Sequence, residues 1–152
     1  MKDKVSIKKA VLAECQAKVA ESIASTTALL NHSIASMHGE TKSSAGDKFE
    51  TSRAMLQAEQ DRLKTILIKS KELEHQLARL PMEIHDEVRP GCIVVSETAT
   101  YFLAVGLGKI KAEEKVYYVI SQASPIGRLL VGKQKGESII FNGKTTTITD
   151  VF

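Results

Sequence analysis

Over the first eighty residues, apolar and small side chains return every three or four positions. Cys15, Val19, Ile23, Thr26, Leu30, Ile34 and Met37 follow an eleven-residue repeat, close to the period of a straight helix. They predict a helix over about 5–37. Leu56, Leu63, Ile66, Leu73, Leu77 and Leu80 follow heptad spacing, with Glu59 and Ser70 as polar interruptions, and predict a second helix over about 47–80. Two such stripes joined by a short link predict an antiparallel coiled-coil hairpin whose apolar residues pack on each other. No proline occurs before Pro81, which stops the second helix. The glycines of this stretch, Gly39 and Gly46, both fall in the window GETKSSAGDKFE. That window is the predicted bend, at the end of an arm of about 45 Å by helix rise.

After Pro81 the period changes. A connector over 81–90 leads to strand patterns at 92–95, 101–105, 115–120, 138–141 and 145–151. Ser124-Pro125 predicts a short helix with serine as N-cap and proline at its first position, closed by Gly132. Asn142-Gly143 is a hairpin turn signal. Gly106 and Gly108 read as loop glycines, and the G-L-G-K they belong to is too short for a phosphate loop. The fold class is α+β: a coiled-coil hairpin over 1–80 with its tip at 38–50, a connector over 81–90, and a small antiparallel sheet with one short helix over 91–152.

Charge narrows the function classes. The 152 residues carry a net charge of +3, all of it on the hairpin, the rest being balanced. That excess falls short of the basic stripe that independent binding to duplex DNA needs. No apolar run is long enough for a membrane span. The basic start MKDKVSIKK is followed by no apolar core of a secretory signal, so a cytoplasmic location and no membrane partner are expected. Cys15 and Cys92 form no metal or redox motif and read as buried reduced thiols. His32 and His38 lie near the bend without a matching ligand set; His75 and His85 read as surface residues.

Two stretches resemble the bacterial Gre-type transcript-cleavage factors. VISQASPIGRLLVGKQKGESIIF (119–141) is similar to the family's I-S-x-x-S-P-[IL] core followed by L-[IV]-G-K and G-[DE], and RPGCIVV approximates its first strand. GDKFE (46–50) is similar to the family's G-D-x-x-E at the hairpin tip. The resemblance spans nearly the whole chain. It implies a sheet domain of the FK506-binding-protein type and a monomer that docks at the secondary channel of bacterial RNA polymerase. Ser121, Ser124, Pro125, Ile126 and Gly127 are then the docking residues. The coiled coil passes down the channel, and backtracked RNA with its extruded 3′ end is cut by the polymerase's own active site, the chain itself not being an enzyme.

At the tip, the resemblance assigns Asp47 and Glu50 to a Mg²⁺ shared with the polymerase, no cofactor being held by the isolated chain. Two carboxylates three apart share a helix face, and hard Mg²⁺ prefers oxygen ligands. Lys42, Lys48, Arg53 and Glu40 surround the pair as candidate contacts to RNA backbone or polymerase, with ordinary solvated charge as the alternative. The same spacing also fits a capping box opening the second helix; both roles coexist if Ser43 or Ser44 is the N-cap. Phe49 between the acids reads as a cap on the coiled-coil core. The chain departs from the family in carrying Thr51-Ser52-Arg53 after the acids where Asn-Ala-Glu-Tyr is common. A second register sets Glu40 and Ser43 on the acidic positions and loses one carboxylate. It belongs with a rival reading, a channel-occupying regulator that modulates polymerase without supporting cleavage. A prolyl isomerase or chaperone lacks a tryptophan to floor its pocket, and a plain coiled-coil adaptor predicts that the tip acids are dispensable.

Overall fold

The computed structural model describes residues 3–40 and 46–152, with the side chains at 39–49 outside the description. Nine elements follow in order: α1 (Lys4–Glu40), α2 (Gly46–Ala78), β1 (Ile93–Ser96), β2 (Thr100–Leu103), β3 (Gly108–Ala112), β4 (Lys115–Ile120), α3 (Pro125–Leu130), β5 (Ser138–Phe141) and β6 (Lys144–Val151). Two long helices followed by a six-stranded sheet make the chain α+β, as the pattern predicts. No helix among the described residues is long and apolar enough to cross a membrane. The chain forms two compact units, Lys18–Glu74 and Met1–Ala17 with His75–Phe152.

In the Lys18–Glu74 unit α1 and α2 run antiparallel: Ser22 Oγ lies 3.2 Å from Ser70 Oγ, and Gln60 reaches Met37. The seam differs from the expected stripe. On α1 it passes through Val19, Thr26 and Ser33, all buried, while Ile34 is 37% exposed. Steps of seven keep Ser33 in the seam, where the eleven-residue pattern places Ile34. On α2, Leu63 and Ser70 are buried, so Ser70 belongs to the seam, and Gln60 is buried where the heptad reading has Glu59. Glu59 instead pairs with Arg62, one turn on, at 2.9 Å.

The other unit is built on a sheet of strand order β3-β4-β2-β1-β6-β5. The expected antiparallel sheet is corrected here: β2 and β4 pair parallel, Tyr101 beside Tyr118 and Leu103 beside Ile120, so the sheet is mixed. The cause is β3, which strand patterning missed. Gly108-Lys-Ile-Lys-Ala has a single large apolar residue, Ile110, and its exposed lysines suit an edge strand, where charge discourages pairing with other chains. Gly108 accordingly opens a strand and is not a loop glycine. β3 returns into β4 through Glu113 and Glu114, both at positive φ (51° and 66°). Asn142 and Gly143 make the expected β5–β6 turn, also at positive φ.

One face of this sheet buries Val94, Leu103 and Ile148 against Ile126 and Leu130 of α3, with Val88, Cys92 and Ile139 in the same cluster. The connector joins it through Val88, whose N–H donates to Lys133 O and whose carbonyl accepts from Gly132 N–H, both at 2.9 Å. Gly91 lets the chain turn into β1. Its φ is +95° and a Cβ there would run into the Pro81 carbonyl, so any side chain meets both strain and a backbone clash.

Lys8 on α1 is 1% exposed and donates from Nζ to the Glu83 carbonyl at 2.8 Å. Burial of the ammonium pushes its pKa below the ordinary 10.5. Between that depressed value and 10.5 the unfolded chain binds more protons than the folded one, so this residue makes stability rise with pH across that window. Replacing Lys8 by Met removes the titration and keeps the packing. The stability of wild type relative to Lys8→Met, read by urea unfolding, is expected to climb as pH rises toward 10.5. Gly91→Ala is expected to lower stability by about 2 kcal/mol or more in the same assay.

Candidate functional site

The segment 121–127 folds into a locked turn. Ser124 is the N-cap of α3, its backbone extended (φ −68°, ψ 157°). Its Oγ accepts from Gly127 N–H at 3.0 Å and donates to the Ser121 carbonyl at 2.7 Å. A Cβ on Gly127 would collide with that same carbonyl and with Ser124 Oγ, so only glycine fits. The five residues assigned to docking are therefore brought together on one turn, in different positions. Gly127 is buried, Ser121 and Ser124 are half-buried, and Pro125 is exposed at the first helical position. Ile126 is nearly buried and lines a groove.

That groove has a volume of about 360 Å³ and is walled by Thr98, Ala99, Tyr101, Tyr118, Ile120, Ile126 and Phe141. A second cavity of about 280 Å³ shares Thr98, Tyr101, Ile126 and Phe141 and adds Asn142, Lys144, Thr145 and Thr146. The rings of Tyr101 and Tyr118 lie 6.0 Å apart, tilted by 42°. Burial, with Tyr118 alongside, raises the Tyr101 hydroxyl above its usual range, so it stays protonated. Tyr118 is 40% exposed. An apolar trough with phenolic hydroxyls is suited to receive an apolar side chain from a partner and to hydrogen-bond the backbone beside it. Sequence reading missed Tyr101, Tyr118, Ile120 and Phe141 as site residues. Their signal is the in-register β2–β4 pairing, invisible until β3 is placed between them in the chain.

A cavity of about 390 Å³ lies elsewhere in the same unit, among Lys4, Ile7, Ile93, Val95, Ala112, Glu113, Lys115, Tyr117, Asp150 and Phe152. None of the residues singled out from the sequence reaches it. Lys4 pairs with Asp150 at 3.4 Å and stands 5.2 Å over the Phe152 ring.

At the bend, α2 begins at Gly46, so Asp47 and Glu50 both lie within it, three positions apart. A capping box instead sets its first residue outside the helix. Glu50 and Arg53 are exposed. Lys42 lies outside the described residues, as do the side chains of Glu40, Asp47, Lys48 and Phe49. Two carboxylates are too few to hold Mg²⁺ unaided, and among the described residues no group of three or more His, Cys, Asp or Glu is placed to do so.

No protein-family model matches the chain, and no curated protein matches it. Among solved structures it is similar to the transcription factor Gfh1, at 14% identity over 91% of this chain and 93% of that one, with a TM-score of 0.38. It is likewise similar to GreA factor homolog 1 (Gfh1) of Thermus thermophilus, at 14% identity over 91% and 95%, with a TM-score of 0.38.

Removing the cap should loosen the turn. Ser124→Ala is expected to cost about 1 kcal/mol of stability in urea unfolding, because it leaves Gly127 N–H without its acceptor.

Proposed function

We propose that this chain is a Gre-type transcription elongation factor. It docks on bacterial RNA polymerase through the α3 turn and its groove, enters the secondary channel, and stimulates cleavage of backtracked RNA by the polymerase's active site. The observation that carries this reading is the state of the I-S-x-x-S-P-I-G segment. The stretch with the most specific family resemblance is folded as a rigid turn, and it delivers Ile126 to an apolar groove open to a partner. In this reading the sheet with α3 is a domain of the FK506-binding-protein type.

The chain is a cofactor of the polymerase and not an enzyme by itself. Asp47 and Glu50 complete the oxygen ligands of a Mg²⁺ whose other ligands belong to the polymerase. Once bound, that ion supplies charge neutralisation and an oriented water for phosphodiester hydrolysis. Glu50, exposed on α2, is free to approach such a site. Arg53 one turn on, with Lys42 and Lys48, brings positive charge to the RNA backbone near the 3′ end, and Glu40 stands as a further contact.

The test is RNA cleavage in stalled, backtracked polymerase complexes. Wild type should accelerate cleavage. Asp47→Ala with Glu50→Ala should abolish the acceleration and leave polymerase binding intact. Ile126→Glu should weaken binding about tenfold or more, equivalent to about 1.4 kcal/mol. Binding without any acceleration by wild type would instead establish the channel regulator that the Glu40–Ser43 register accompanies. No binding would sink both.

A further inference from the structure

The sheet has a second face, and part of it is hollow. Along β1, Val94 joins the cluster under α3, so alternation turns Ile93 and Val95 the other way. Along β4, Tyr118 lines the groove beside α3, so Tyr117 also belongs to the second face. Ile93, Val95 and Tyr117 line the cavity of about 390 Å³ together with Phe152 and with Ile7 of α1. An enclosure of that size, apolar with a few polar groups, is the usual form of a small-molecule site.

Four charged residues border the cavity, and their pairing leaves a remainder. Lys4 and Asp150 face each other at 3.4 Å, and Asp150 Oδ1 also accepts from Val151 N–H at 2.9 Å. Glu113 is engaged within the chain. Lys115 makes no ion pair with a described residue, and its Nζ stands 5.7 Å from the centroid of the Tyr117 ring. Tyr117 is 5% exposed, yet its hydroxyl has no hydrogen-bond partner among the described residues. The side-chain oxygen sealed from solvent without a partner, among the described residues, is Ser33 Oγ. The Tyr117 oxygen is therefore not sealed, and it opens into the cavity that its ring lines. Burial, with Glu113 nearby, raises its pKa, so at neutral pH it is a donor. A nearly buried donor without an acceptor is costly to leave unmet. What remains unmatched is one positive charge and one proton donor beside an apolar lining.

We propose that this cavity binds a small monocarboxylic acid with an apolar body. The carboxylate meets Lys115 Nζ and the Tyr117 hydroxyl, and the body lies against Ile7, Ile93, Val95 and Phe152. Glu113 and Asp150 at the border disfavour a dianion such as a phosphate monoester. Because Ile7 belongs to α1 and Ile93 to the sheet, the bound acid bridges the two. The site is separate from the α3 groove, and the inference holds whether or not the chain engages polymerase.

Chemical-shift titration of the full chain with 3-phenylpropionate, its neutral amide and 3-phenylpropylamine tests it. The acid should bind with a Kd of about 1 mM or below, about tenfold tighter than either analogue. Lys115→Ala should weaken the acid about tenfold and bring it level with the amide. Tyr117→Phe, which removes one oxygen and keeps the packing, should weaken it about fivefold. Lys135→Ala makes the same charge change at an exposed position outside the cavity lining, and should leave affinity within about twofold. No binding of the acid at about 10 mM overturns the proposal. So do equal affinities for acid and amide, tighter binding of the amine, or a loss in Lys135→Ala that matches Lys115→Ala.

Discussion

Two strands that lie side by side and point the same way cannot be joined by a tight turn. β2 and β4 are such a pair, and much of the larger unit follows from how the chain gets from one to the other. It leaves β2, runs out to the edge as β3, and comes back antiparallel as β4. The return passes through two consecutive glutamates at positive φ, an uncommon choice where asparagine and glycine carry less strain. The detour sets Tyr101 against Tyr118 and Leu103 against Ile120 on one face. α3 then covers the Leu103 end of that face with Ile126 and Leu130 and leaves the tyrosine end open. The groove is thus the uncovered remainder of a face that the parallel pairing created.

The two units meet the problem of burial differently. In the sheet unit, Phe102, Leu103, Leu130 and Ile148 are fully enclosed, each removing enough apolar surface from water to stabilise by about 1.5–3 kcal/mol. In the Lys18–Glu74 unit the fully buried apolar side chains among the described residues are Val19 and Leu63. Helices of 37 and 33 residues satisfy their own backbone except in the first and last turns, so the hairpin keeps its secondary structure with a thin seam. Composition anticipated this. No Asp, Glu, Lys or Arg lies between Glu21 and Glu40, and alanine and serine fill much of that stretch.

The long elements were legible in the chain because their signals are redundant. Absence of proline, clustering of both glycines and a helical period all pointed to α1 and α2, and they came within three residues at every end. Ser124-Pro125 and Asn142-Gly143 were legible because each encodes a local backbone state. Three things were not. β3 was hidden because an edge strand carries lysines where a central strand carries valines. The parallel pairing was hidden with it, since strand direction depends on how many reversals lie between. The Ser33 seam position was hidden because Ile34, one residue on, is the more apolar of the two, and hydrophobicity outranked period in choosing between them. Of the candidate site, the α3 turn was legible as a motif and the tyrosine groove was not, because its walls come from four separate stretches of chain.

The lock formed by Ser121, Ser124 and Gly127 bears on how the motif should be read in other chains. Each of the three residues is accounted for by the turn's own geometry: a carbonyl, a hydroxyl that bonds on two sides, and a hydrogen where no carbon fits. A chain could keep this signature to preserve the bend alone, after its partner had changed. The spelling S-x-x-S-P-I-G is therefore a statement about architecture. Tyr118, Phe141 and Lys144 stand outside that lock, and side chains there can change without disturbing the turn.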